Sequence, residues 1–230
     1  MNCCLPPIFH CLTVALLICH VAAQQTPKEL PRSANPSSHA NPLIPDPGAI
    51  SNGVYRNSFF GFTCKLPFGW VDRTEDMRAD ADQPTHAADE VPKPSASRAK
   101  PLVLLAVFER PPEATGNTIN SAVVIAAEPV SSYPGLTNPE NYFGPLTELV
   151  RSKSMKVVNG PYEYVIGAQH LMRGDFNKEL GKLTMYQSSL VMMEKRYVVS
   201  FTFIGGSEDE VEELLKGLSF GKKETPAARK

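Results

Sequence analysis

A thiol, an imidazole, an arginine–aspartate pair and a run of carboxylates are the groups from which chemistry would have to be built in this sequence. Cys3, Cys4, Cys11 and Cys19 lie in the first nineteen residues, and Cys64 is the only thiol beyond them. With one cysteine left downstream, that part of the chain has no internal disulfide framework. A nucleophilic Cys64 needs a base such as His170 within reach. Nothing in the spacing brings the two together, and Thr63 and Lys65 on either side suit a strand position. His39 and His86 sit in proline- and alanine-containing stretches, where a solvated imidazole is expected, and His170 stands alone on a candidate strand. Arg173 and Asp175 flank Gly174, at what reads as a strand end, and suit an ion pair or a turn. Glu208, Asp209 and Glu210 follow Ser207 and precede a periodic apolar run, so they are helix-start chemistry rather than a metal site.

The familiar reaction signatures are missing: His-Glu-x-x-His, a Cys-x-x-Cys after residue 23, a Gly-x-Ser-x-Gly elbow and a phosphate-binding glycine loop. Gly205-Gly206-Ser207 opens a helix whose N-terminus suits an anion. It lacks the lysine of a phosphate loop, and three carboxylates beside it repel phosphate. The sequence therefore assigns no catalytic, cofactor-binding or metal-ligating residue, and neither an enzyme activity nor a cofactor is expected.

The elements that would position these groups are clearest at the end of the chain. Leu183–Met193 and Arg196–Ile204 predict two long strands. Tyr197, Val199, Phe201 and Phe203 alternate with more polar positions, giving one aromatic, buried face. Met185, Met192 and Met193 read as core filling. The joint at Glu194-Lys195 has none of the usual Asn-Gly or Asp-Gly hairpin chemistry. Ser207-Glu208-Asp209-Glu210 is a capping box, and Val211, Leu214, Leu215 and Leu218 form one apolar stripe, predicting a helix over Ser207–Lys216. Gly217 is placed to end it in a left-handed conformation.

The chain has 230 residues and a net charge of −1, enough for one domain with a sizeable core and without the bulk charge that attracts nucleic acid. Ile8–Cys19 is an apolar run too short to span a bilayer and suited to a signal peptide, with Val21-Ala22-Ala23 supplying small residues for cleavage after Ala23. Residues 1–23 thus read as a signal peptide with no membrane span left after processing, although no Lys or Arg precedes the apolar run. Cys19 is a candidate for lipidation, against which Ile18 is a poor fit. Residues 24–51 contain six prolines and no apolar period, and read as a tether. A single domain is predicted over 52–221, followed by a basic tail over 222–230.

Within that domain Phe59–Leu66 predicts a strand closed by Pro67-Phe68-Gly69-Trp70, with Trp70 expected to anchor in the core. The pattern Tyr55-x-Asn57-x-x-Phe60-Gly61-Phe62-x-x-x-x-Pro67-x-Gly69-Trp70 resembles the opening of the PsbP-like superfamily. That group includes the extrinsic photosystem II protein, a Ran-binding nuclear import factor and many secreted bacterial proteins. The resemblance extends over most of 52–220 and implies an α+β fold, a largely antiparallel sheet with helices packed on its faces in an α/β/α sandwich. None of the superfamily's functional residues maps onto this chain, and fold analogy does not carry function.

Residues 72–100 interrupt the pattern with seven acidic residues up to Glu90 and then Pro92 and Pro94. One or two helical turns are expected over 72–81, and a mobile insertion after them. Leu102–Phe108 and Ala122–Ala127 are unbroken apolar runs and predict strands covered on both faces. Asn138 as N-cap and Pro139 at the first position predict a helix running to about Ser154. Lys156–Asn159 predicts a short strand that Gly160 turns, and Tyr162–Ile166 and Ala168–Phe176 predict a further strand pair or one bent strand around Gly167.

The expected function is that of an exported, non-enzymatic binding or assembly module of the cell envelope, periplasmic or extracellular, with an envelope protein or complex as partner. A carrier of a small molecule or lipid would need a cavity lined by Met185 and Met192. A hydrolase would need Cys64 or His170 beside a carboxylate in a deep pocket.

Overall fold

A computed structural model of the chain describes residues 45–82 and 100–221. The expectations for residues 1–44, for the insertion beyond Asp82 and for the basic tail lie outside the described residues.

Among the described residues two antiparallel sheets and three α-helices make up the fold. The smaller sheet has the order β1-β2-β3-β11, from Ala49–Ser51, Val54–Asn57, Phe62–Lys65 and Leu218–Phe220. The larger has the order β4-β5-β6-β10-β9-β8-β7. Its strands are β4 (Val71–Asp72), β5 (Leu102–Phe108), β6 (Ala122–Pro129), β7 (Lys156–Ile166), β8 (Gln169–Leu180), β9 (Leu183–Glu194) and β10 (Tyr197–Gly205). The helices are α1 (Thr74–Asp82), α2 (Phe143–Ser152) and α3 (Glu208–Leu215), with a 3-10 turn over Pro139–Tyr142 leading into α2. The architecture is α+β and dominated by antiparallel strands, as the sequence predicts.

The large sheet is buried on both faces, which is why β5 and β6 read as unbroken apolar runs. On one face Leu104, Ile125, Leu190, Met192, Phe201 and Phe203 pack against Tyr55, Phe62 and Cys64 of the small sheet and Val211, Leu214 and Leu215 of α3. On the other, Ala106, Val191, Val198 and Ile204 pack against Phe143 and Val150 of α2, with Met77 of α1 against the same cluster. Helices cover both faces as expected, and on the first face α3 shares the work with the four-stranded sheet. Each fully buried Leu, Phe or Val contributes about 1.5–3 kcal/mol.

Several boundaries move. The domain starts before Asn52: β1 pairs with β2 through a two-residue turn at Asn52-Gly53, both at positive φ, 51° and 69°. This is an Asn-Gly hairpin. Pro47 and Asp46 are already tied in, because Tyr55 donates from its hydroxyl to Pro47 O at 2.8 Å and Asn57 from Nδ2 to Asp46 O at 2.9 Å. Residues 58–61 form a turn rather than the start of β3. Asn57 holds it, accepting from Phe60 N at Oδ1 and from Gly61 N at its carbonyl. Tyr55, Asn57, Phe60 and Gly61 of the motif are therefore one structural device. Residues 74–82 form a full nine-residue helix. Its Arg78 donates to Val103 O and Leu104 O, where β5 bulges against β6.

The predicted pair of strands around Gly160 is one strand, β7, carrying two register shifts between Val157 and Tyr162. In α3 the Ser207 hydroxyl accepts from Glu210 N at 3.2 Å, and Glu210 reaches past the cap to accept from Gly206 N at 2.8 Å. Gly217 is not left-handed. It lies so close to β3 that an added Cβ would meet Lys65 O at 2.7 Å, and its carbonyl accepts from Lys65 N. Close approach, not turn conformation, is what requires glycine there.

Candidate functional site

An open cleft of about 260 Å³ lies between α3 and the β7–β8–β9 side of the large sheet. Arg173 of β8 forms its floor. Alternation along β8 sends Leu171, Arg173 and Asp175 to the α3 face, so the ion pair sits in mid-strand, not at a strand end. Arg173 is 6% exposed, and its burial is compensated on three sides. Nε donates to Asp175 Oδ1 at 2.8 Å, and Nη2 donates to Ser188 Oγ at 3.0 Å and to Glu212 of α3. The guanidinium also lies over the rings of Tyr164 and Tyr162, at 5.0 and 5.8 Å from their centroids.

Asp175 is equally well held. Ser188 Oγ donates to Oδ1 at 2.5 Å, and Tyr162 OH donates to Oδ2 at 2.8 Å. Burial pushes its pKa up, but the bonds from Ser188, Arg173 and Tyr162 outweigh burial and hold it below the usual carboxylate range. The Tyr162 phenol is pushed up, first by burial and then by its bond to Asp175. A base must be able to take a proton and a nucleophile must be free to attack. In this cluster the carboxylate is depressed, the phenol is raised and the guanidinium is fixed among its partners, a network that orders the cleft floor.

The other candidate groups lie apart from it. Cys64 is wholly buried in the core on β3, and burial pushes its thiol up to about 12. His170 is exposed on β8, with Nδ1 at 2.6 Å from Glu163 Oε1. Met185 and Met192 are buried on opposite faces of the large sheet, in two separate clusters. Glu208 and Asp209 line the cleft beside Glu212. Among the described residues no group of three or more His, Cys, Asp or Glu is arranged to hold a metal ion.

No protein-family model and no curated protein matches the chain. It is similar to the solution structure of cyanobacterial PsbP from Synechocystis sp. PCC 6803, with 14% identity and a TM-score of 0.43, over 79% of this chain and 100% of that one. It is also similar to the crystal structure of PA94 from Pseudomonas aeruginosa, a protein of unknown function and putative regulator. That match has 11% identity and a TM-score of 0.30, over 58% of this chain and 87% of that one.

Two features escaped sequence reasoning. Glu128, at the end of β6, is 8% exposed, and each carboxyl oxygen accepts a phenol: Tyr142 OH at 2.5 Å and Tyr133 OH at 2.5 Å. The two rings meet edge to face at 5.1 Å. Burial, then the Glu128 charge, pushes the Tyr142 phenol up. The second feature is an open apolar groove at the end of the small sheet, lined by Ile50, Val54, Leu66, Pro67, Phe68 and Trp70. Trp70 is half-buried and packs against the main core cluster, as expected of an anchor, and it also borders this groove. Phe68 is 105% exposed, on a turn where Gly69 has φ 82°. The sequence signal is the pair of aromatics on either side of Gly69 in Pro67-Phe68-Gly69-Trp70.

Proposed function

We propose that the chain is an exported, non-enzymatic binding or assembly module of the cell envelope, with a protein partner. The observation that carries this reading is Phe68. A phenylalanine held fully in water at the tip of a tight turn, beside a half-buried tryptophan and an isoleucine, contributes nothing to its own fold. It has the composition of an interface anchor, in which aromatic residues supply most of the binding energy. The polar cluster under α3 supports the same reading, since its groups are occupied with one another.

The test is in-cell cross-linking through the surface lysines with an amine-reactive reagent, comparing the native chain with Phe68→Ser. A cross-linked protein seen with the native chain and reduced tenfold or more with Phe68→Ser supports the reading. Equal yields from both chains overturn it. Phe68 packs against little, so the substitution leaves folding intact, and an unchanged melting temperature verifies this.

A further inference from the structure

The large sheet ends in two very different edges. At one end β4 is two residues long and leads into α1. At the other, β7 runs for eleven residues with its outer side unpaired among the described residues. Eight consecutive residues from Lys156 to Glu163 are exposed. Val158, Tyr162 and Val165 are 41, 37 and 50% exposed, apolar surface on an edge that natural sheets ordinarily shield. Pro161 has no N–H to offer, which limits pairing along β7 and leaves Tyr162–Ile166 as the regular stretch, in register with Gln169–Arg173.

The cleft begins where that stretch begins. Tyr162 belongs to both, and it shares the α3 face with Tyr164 and Ile166, which pack against the core. A strand added outside Tyr162–Ile166 sends alternate side chains to this face. The charge there is one-sided. Asp175, Glu208, Asp209 and Glu212 line the cleft against the single cation Arg173, four negative groups and one positive, a formal net charge of −3. Arg173 is already committed to Asp175 and Glu212.

We infer that β7 takes an extended, lysine- or arginine-bearing segment of a partner protein as an eighth strand. Backbone pairing along Tyr162–Ile166 holds the segment. A basic side chain lays its stem on Val158 and Tyr162 and brings its charge to Glu208, Asp209 and the free edge of Glu212. This surface is separate from the Phe68 groove and stands without it.

The probe is a blocked heptapeptide alternating lysine and valine, titrated into the isotope-labelled full chain, with a glutamate–valine peptide as control. Expected are shifts and slowed amide exchange at Tyr162–Ile166 with the lysine peptide, and binding at least about tenfold weaker with the glutamate peptide. The double substitution Glu208→Gln, Asp209→Asn, both on exposed positions, weakens lysine-peptide binding about fivefold or more, whereas Phe68→Ser leaves it unchanged. Equal binding of the two peptides, shifts located elsewhere, or no binding would each overturn the inference.

Discussion

Each face of the large sheet holds a carboxylate next to tyrosine, Glu128 buried and Asp175 partly buried, and the two are held in opposite ways. Under α3, Asp175 is paired with a cation and also accepts from a serine and a phenol. Under the segment leading into α2, Glu128 accepts from two phenols and sits among apolar side chains such as Val198. The first arrangement lies at the edge of the molecule, on the wall of a cleft. The second is more deeply buried, with Tyr133 at its rim, and ties the Val130–Tyr142 segment to the sheet. A buried charge needs compensation in either place, but charge compensation leaves a polar surface beside it, and phenol compensation leaves a closed apolar layer. The contrast separates an open polar wall on the α3 side, beside the cleft, from a closed apolar layer on the α2 side.

Removing the cation is the most disruptive way to break this comparison. Arg173→Met leaves Asp175 buried without its partner and frees Glu212. It is expected to destabilise the chain by about 3–5 kcal/mol, measured by urea unfolding. Adding Asp175→Leu to that variant should recover most of the loss, because a well-packed apolar pair in place of a buried ion pair is close to neutral. No recovery would mean that the pair's neighbours, not its charges, set the cost.

On the α2 side, Tyr142→Phe takes one donor from Glu128 and keeps the ring. A cost of about 1–3 kcal/mol is expected, the penalty of a buried acceptor left short. Tyr133→Phe should cost less, since Tyr133 is half-buried and water can replace its hydroxyl. If the two substitutions cost the same, the α2 side is wetter than its burial indicates.

Acid separates the charge-compensated carboxylate by another route. The folded-state pKa of Asp175 is lowered, so its stabilisation is fully present above the unfolded value of about 4 and is lost as pH falls through the lower folded value. Stability should therefore decline below about pH 4, and Asp175→Asn should flatten that limb. A limb of unchanged slope in Asp175→Asn would place the acid sensitivity elsewhere.

The parts of this molecule that were legible in the sequence are those fixed by local periodicity. The stripe of Val211, Leu214 and Leu215, the aromatic face of β10 and the unbroken runs of β5 and β6 each encode their own environment. What was not legible depends on contacts distant in sequence. Arg173 and Glu212 lie 39 residues apart, and Glu128 and Tyr142 lie 14 apart. No local pattern distinguishes a buried Glu128 from an exposed one, and Gly217 looks like a turn residue until Lys65 is seen beside it. The Asn52-Gly53 turn is legible in its own residues, but the strand before it is only three residues long and follows proline-rich sequence with no apolar period.

The β9–β10 turn links the two faces and gives the smallest and most discriminating test. Lys195 and Arg196 are both left-handed, at φ 50° and 69°, a conformation that costs a non-glycine residue about 1–2 kcal/mol. Lys195 offsets this cost on the α3 side: its Nζ donates to Phe59 O at 2.5 Å and lies 4.6 Å from the centre of the Phe59 ring. Arg196 contributes on the α2 side only through its backbone, its carbonyl accepting from Val130 N at 2.9 Å. Arg196→Gly keeps that bond and relieves the strain, less the added freedom of the unfolded chain, and should stabilise the protein by up to about 1 kcal/mol. Lys195→Gly relieves the same strain but forfeits the contacts to Phe59, so its net effect should be near zero. If both glycine variants stabilise equally, the Lys195–Phe59 contact contributes nothing to stability.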